Sequence, residues 1–233
     1  MHYPHPLVEA TLLRRYKRFL ADVRFADGTE RTVHCANPGS MRGLATEGAR
    51  CAVLDTGNPK RKLPWSLELV DVAGAWVAVN TGRTNAIVAE ALDGGALSAW
   101  RGDATVTPEV KCGDSRIDFA LDDTQGRRWV EVKQVTLVDG SLARFPDART
   151  KRGVKHLDEL VARVVEHGER ATLLLVATRS DVDRFAPARD IDPDWADALQ
   201  RAIDAGVDVQ AWRCDVTMDS IRITTPLPLE SAA

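Results

Sequence analysis

Two short runs decide the reading of this chain: Arg116-Ile117-Asp118-Phe119-Ala120-Leu121 and Trp129-Val130-Glu131-Val132-Lys133. Successive side chains of a strand point to opposite faces. Ile117, Phe119 and Leu121 therefore share one face of the first run, and Asp118 lies on the other with Arg116. In the second run Val130 and Val132 turn to the core, which leaves Glu131 and Lys133 together on the polar side. Asp122-Asp123-Thr124-Gln125-Gly126 between the runs is turn chemistry. A hairpin there brings two carboxylates and an ammonium to one place. Two adjacent carboxylates repel unless a cation lies between them, and hard oxygen ligands favour Mg²⁺ or Mn²⁺. With Lys133 beside them, Asp118 and Glu131 suit metal-assisted phosphodiester hydrolysis.

Working outward, Ala104–Lys111 precedes these runs as a third strand of a meander. Before it, Thr84-Asn85 begins a helix whose apolar positions Ile87, Val88, Ala91 and Leu92 repeat at helical spacing until Gly94-Gly95. A second helix is expected from about Thr150 to Glu166, with Val154, Leu157, Val161, Val164 and Val165 as its apolar stripe and Lys151, Arg152, Lys155 and His156 on the other face. Thr172–Ala177 reads as a strand covered on both faces, and Asp192-Pro193 opens a third helix. Val207–Trp212 and Ile221–Ile223 are the final strands. The order gives an α/β domain with a mixed sheet.

Upstream of residue 82 the rhythm is all strand: Tyr16–Phe25, Arg31–Cys35, Arg50–Leu54, Trp65–Val72 and Trp76–Asn80, separated by Asp27-Gly28, Asn37-Pro38-Gly39 and Gly57-Asn58-Pro59. Five short strands fit a small barrel of the OB type. The expected organisation is a β domain over residues 1–82 and an α/β domain over 83–233.

The chain has 233 residues, a net charge of -3 and a pI of about 6.0, so any polyanion site must be a local patch. Two patches stand out. Arg144, Arg149, Lys151, Arg152 and Lys155 face a single acid, Asp147, giving that segment a formal +4. Near the start, Arg15, Lys17 and Arg18 surround Tyr16 and Phe19, the mixture of charge and rings that OB surfaces use for nucleic acid. Alternation puts Tyr16 and Arg18 on one face and Arg15, Lys17 and Phe19 on the other, so one ring belongs to the core, and Tyr16 is divided between core and stacking. Six to eight phosphate contacts would give a logarithmic salt slope of roughly -5 to -7 on duplex DNA. No apolar run reaches the length of a transmembrane helix and no leader pattern opens the chain, so a cytoplasmic protein without a membrane partner is expected. Cys35, Cys51, Cys112 and Cys214 form no C-x-x-C pair and read as reduced thiols. No Gly-rich dinucleotide loop or P-loop lysine is present. The oligomeric state stays open, a homodimer included.

Asp118 followed by Glu131-x-Lys133 on adjacent strands after a leading helix resembles the restriction-endonuclease-like core, the PD-(D/E)xK fold. A second Glu-x-Lys at Glu109-Val110-Lys111 shows how easily the tripeptide arises. Longer segments resemble the sugar fermentation stimulation protein A family: Ser115–Phe119, Val130–Leu137, Ala143–Ala148, Thr150–Leu157, Arg15–Phe19 and Val33–Met41. The resemblance implies an OB-like barrel followed by a nuclease-like domain, nucleic-acid binding, and Asp118, Glu131 and Lys133 in the catalytic and metal positions, with Glu90 as auxiliary acid. A basic residue expected near Ser40 is missing, which leaves that phosphate contact open. Two functions follow: a Mg²⁺- or Mn²⁺-dependent nuclease acting on DNA or RNA, or a non-catalytic DNA-binding regulator of sugar (maltose-type) utilisation genes.

Overall fold

The computed structural model describes residues 1–230; residues 231–233, the end of the expected second domain, lie outside the described residues. The first lobe contains β1 (Val8–Tyr16), β2 (Leu20–Phe25), β3 (Glu30–His34), β4 (Arg50–Asp55), β5 (Trp65–Val72) and β6 (Ala75–Ala78). The order β3-β2-β1-β4-β5 closes through a β3–β5 pairing at His34↔Ser66, so five strands form an OB barrel. β6 is added to β5 outside the closure. Leu12, Val23, Val33, Val53 and Leu67 fill the interior.

The expected first strand, Tyr16–Phe25, is instead a hairpin turn and β2. Lys17 and Arg18 adopt φ of 47° and 63°, and the chain reverses there. Neither is a turn-forming residue such as Gly or Asn, so the reversal carried no local signal. The barrel's true first strand lay before it, where a register shift between Leu12 and Arg14 breaks the alternation.

The second lobe begins with a 3-10 turn over Thr81–Arg83, capped by the Asn80 side chain. It continues with α1 (Thr84–Gly94), α2 (Ser98–Arg101), β7 (Thr105–Cys112), β8 (Ser115–Asp123), β9 (Gly126–Val135), β10 (Leu137–Asp139), β11 (Leu142–Phe145), α3 (Lys151–Val165), β12 (Arg170–Ala177), β13 (Arg184–Pro187), α4 (Pro193–Asp204), β14 (Asp208–Val216) and β15 (Ile221–Leu227). The main sheet runs β15-β14-β12-β9-β8-β7; β9–β12 and β12–β14 are parallel and the other pairs antiparallel. β10, β11 and β13 form a small second sheet that the sequence pattern did not reveal, because Trp129–Val138 reads there as one strand.

β12 is apolar throughout because both its faces are covered. Leu174 and Val176 pack with Ile87, Val88 and Leu92 of α1, and Leu173 and Leu175 pack with Leu157 and Leu160 of α3 and Trp195 and Leu199 of α4. On α3 the buried face is Gly153, His156, Leu157 and Leu160, whereas Val165 is exposed. His156 is thus a core residue rather than part of the basic face.

The lobes share packing and polar ties. Ala52 and Leu69 of the barrel and Ala78 of β6 belong to the α1 core cluster. Gln134 Nε2 donates to Ala78 O at 2.7 Å and to Thr178 Oγ1 at 2.8 Å. Buried Glu68 accepts from Arg83 and from Asn80, fixing the turn that leads into α1. Among the described residues no helix is long and apolar enough to cross a membrane, and all four cysteines are free and buried.

Candidate functional site

The β8–β9 ladder runs from Asp123↔Gly126 to Phe119↔Val130, so the next step faces Asp118 toward Glu131. There the strands part: Val132 N–H donates to Asp118 Oδ2 at 2.8 Å. Asn85 at the head of α1 donates from Nδ2 to Asp118 Oδ1, also at 2.8 Å. Two donors therefore orient the carboxylate. On the far side Glu109 of β7 is held at a φ of 55°, opposite Asp118 between the pairs Pro108↔Phe119 and Val110↔Ile117. That carboxylate stands 3.4 Å from Asn85 Nδ2, so the Glu-x-Lys that sequence treated as incidental also reaches this place.

The two acids are driven in opposite directions. Burial, together with the charge of Glu131, pushes the Asp118 carboxyl above the ordinary aspartate range, against Asn85, Val132 N–H and Lys133. Burial also acts to raise Glu131, which is 2% exposed, but there the hydrogen bond from His156 and the charge of Lys133 prevail and hold it below its ordinary value.

Glu131 Oε1 takes both Lys133 Nζ and His156 Nδ1. Its other oxygen, Oε2, is buried and takes no hydrogen bond from the described residues. Arg152 Nε donates to His156 Nε2 at 3.2 Å. An arginine can only donate, so Nε2 accepts and the imidazole proton sits on Nδ1, facing Glu131. A buried carboxylate oxygen beside a second acid that resists ionisation is a donor set whose chemistry suits a cation. Asp118 and Glu131 fit a hard divalent ion that keeps waters for its remaining positions. Among the described residues no third His, Cys, Asp or Glu completes an all-protein cage.

Asn85, Glu109, Asp118, Lys133 and Arg152 line one side of a cleft of about 1120 Å³ between the lobes, whereas Glu131 is buried and is not among its lining residues. Of the sequence-predicted residues the cleft brings together Asp118, Lys133, Arg15, Arg18, Arg144, Arg149 and Arg152. Arg15 and Arg18 are largely engaged there: Arg15 Nη2 donates to Arg18 O, Asn37 O and Gly39 O at 2.8–2.9 Å, and Arg18 to Pro38 O at 3.1 Å. Arg144 pairs with Asp190. Lys155 faces a smaller groove shared with Lys111 and Arg116, while Lys17 and Lys151 are exposed outside the cleft.

Tyr16, Phe19 and Glu90 are also placed outside the cleft. Tyr16 is half-buried, with its hydroxyl on Asp22 Oδ1 at 3.1 Å and Arg14 over its ring at 4.8 Å, so it neither fills the core nor lies open for a base. Phe19 is exposed, and the alternation that sent one of the two rings inward fails because the turn at Lys17 and Arg18 intervenes. Glu90 holds the Met1 ammonium at 2.5 Å and borders a different groove with Arg222. The α1 residue that bonds Asp118 is Asn85. Ser40 spans the lobes, its Oγ 3.0 Å from both Asp147 O and Asp147 Oδ2. Gly39 lets Asp147 approach closely, since a Cβ there would lie 2.8 Å from Asp147 Oδ2 and the carboxylate would have to shift.

Comparison with known proteins covers nearly the whole chain. Residues 13–79 match the family model described as the SfsA N-terminal OB domain, and residues 82–220 match the Sugar fermentation stimulation protein RE domain. A sugar fermentation stimulation protein homolog of Magnetococcus marinus is 50% identical over 228 residues, covering 97% of this chain and 98% of that protein. The homolog of Geobacter metallireducens is 46% identical, covering 98% and 99%. The solved structure of Pyrococcus furiosus SfsA in complex with Ca²⁺ superposes with a TM-score of 0.89 at 24% identity, covering 99% of this chain and 98% of that one.

Proposed function

The chain belongs to the sugar fermentation stimulation protein family, and on that footing we propose that it is a metal-dependent nuclease hydrolysing phosphodiester bonds in DNA or RNA. One observation carries the reading: one cleft lines up Asp118 and Lys133 with Arg149 and Arg152, and Lys133 bonds a buried Glu131 carboxylate whose second oxygen takes no hydrogen bond from the described residues. Residues 1–82 would brace one wall and residues 83–233 supply the chemistry.

Asp118 and Glu131 are the residues that would hold Mg²⁺ or Mn²⁺, and the Ca²⁺ in the Pyrococcus furiosus structure is a cation with the same taste for oxygen. When bound, the ion supplies Lewis acidity and neutralises developing negative charge. The chain's own groups do the rest. Asn85 and Val132 N–H fix the Asp118 carboxylate. His156, locked by Arg152, fixes Glu131. Lys133 donates to Glu131 and lines the cleft, where its ammonium can meet a phosphate oxygen. Arg149 and Arg152 meet the flanking phosphates.

Cation binding needs Asp118 ionised. As pH falls, its raised carboxyl protonates before a solvated aspartate would, whereas Glu131 stays charged. The thermal shift produced by Mn²⁺ should therefore be full at neutral pH and fade on acidification while ordinary aspartates are still ionised.

The regulator reading has one observation in its favour: Lys133 and His156 already balance Glu131 Oε1. The deciding assay incubates end-labelled single-stranded DNA, duplex DNA, RNA and RNA-DNA hybrid with the purified protein in Mg²⁺, Mn²⁺ or EDTA. Cutting in either metal that EDTA abolishes is the expected result. Binding with no cutting of any substrate would establish the scaffold instead.

A further inference from the structure

Phe19 is the one aromatic among the exposed large hydrophobic side chains of the described residues, 44% exposed at the tip of the β1–β2 hairpin. Its ring lies nearly parallel to His34, with an interplanar angle of 18° and centroids 6.5 Å apart. The Arg18 guanidinium is 5.9 Å from the ring centre. Arg61 Nη2 stands 3.3 Å from His34 Nδ1, and because arginine only donates, that nitrogen accepts. Burial and the Arg61 charge push His34 below the usual histidine value, which keeps the ring neutral and suited to stacking. Two loops meet here. The hairpin brings Lys17 and Arg18, and the β4–β5 loop brings Lys60, Arg61 and Lys62 with no acid between Thr56 and Pro64. Both hairpin cations hold left-handed backbone, a conformation non-glycine residues keep only where the surroundings enforce it. Arg18 lines the catalytic cleft, so the ring stands one residue from its mouth.

We propose that Phe19, seated on His34 and flanked by Arg18 and Arg61, is a stacking platform for an unpaired base of a nucleic-acid strand entering the cleft. A π face accepts any base, and the surrounding cations take the phosphates on either side. A base paired inside a duplex cannot present its face, so the site selects strands with single-stranded character. This deepens the nuclease reading by naming the substrate class, and rests on that reading only for the cleft's purpose.

The test is fluorescence anisotropy of a labelled single strand of about 20 nucleotides and of a blunt duplex of equal length, with wild type, Phe19→Ala, Phe19→Leu and Phe19→Trp in EDTA. Phe19→Ala should weaken single-strand binding about 5- to 100-fold and leave duplex binding within about twofold, while Phe19→Trp keeps wild-type affinity and Phe19→Leu does not. Equal losses on both ligands, full rescue by Phe19→Leu, or a wild type that does not bind single strands would each overturn it. EDTA separates the two ideas: a Phe19 effect in a protein that cuts nothing under any metal would sink the nuclease reading alone.

Discussion

Arg15, in the barrel, spends its guanidinium on the carbonyls of Arg18, Asn37 and Gly39, whereas Arg149 and Lys151 at the head of α3 end at exposed positions. Both regions read in sequence as basic patches on an acidic protein. In the fold one is a brace, holding the loop that carries Ser40 to Asp147, and the other is open to a ligand. Charge that already satisfies buried acceptors contributes to stability, and only charge left in water can trade its counterions for phosphate.

The largest effect expected from this contrast is on stability. Arg15→Ala strands several carbonyl oxygens and should cost about 3 kcal/mol, lowering the thermal midpoint by about 6–12 °C. Arg149→Ala should stay within about 0.5 kcal/mol of wild type. Equal midpoints for the two variants would erase the distinction. Next comes binding: the double variant Arg149→Glu, Lys151→Glu should lose about 10- to 100-fold in affinity for duplex DNA and flatten the logarithmic salt slope by at least about 2, with its melting unchanged. An unaltered slope would remove α3 from the interface. The smallest effect sharpens the hairpin side. Tyr16→Phe loses the bond to Asp22 and about 0.5–1.5 kcal/mol of stability by denaturant titration, with single-strand binding unaffected.

The strand pair at the centre was partly legible, because part of its information is local. Alternation holds in Val130-Glu131-Val132-Lys133, where both valines join the α1 core cluster and Lys133 reaches Glu131, but it breaks at Asp118, since Ile117 packs in the α3 and α4 cluster while Phe119 and Leu121 pack in the α1 cluster. What could not be read depends on distant partners. His156 sits on the buried stripe of α3 among Gly153, Leu157 and Leu160, and only the position of Glu131 across the sheet makes it part of the site. Glu90 was carried over to α1 by resemblance, yet five residues turn a helix by about 140° from the face of Asn85. The helix therefore presents an amide to Asp118 and sends its acid to the N-terminus. The barrel's first strand was lost for a third reason: Lys17-Arg18 turns the chain without the residues that normally announce a turn.

The central claim is that Asp118 and Glu131 form the centre of a metal-dependent nuclease, and its most direct test follows cleavage and binding together. Under single-turnover conditions in Mn²⁺, wild type and Glu131→Gln are compared on the substrate cut best, with binding measured on the same strand in EDTA. The account predicts a fall in cleavage rate of at least about 100-fold with affinity equal to wild type or tighter, since a negative charge has left the site. A Glu131→Gln variant that cuts at the wild-type rate would contradict it.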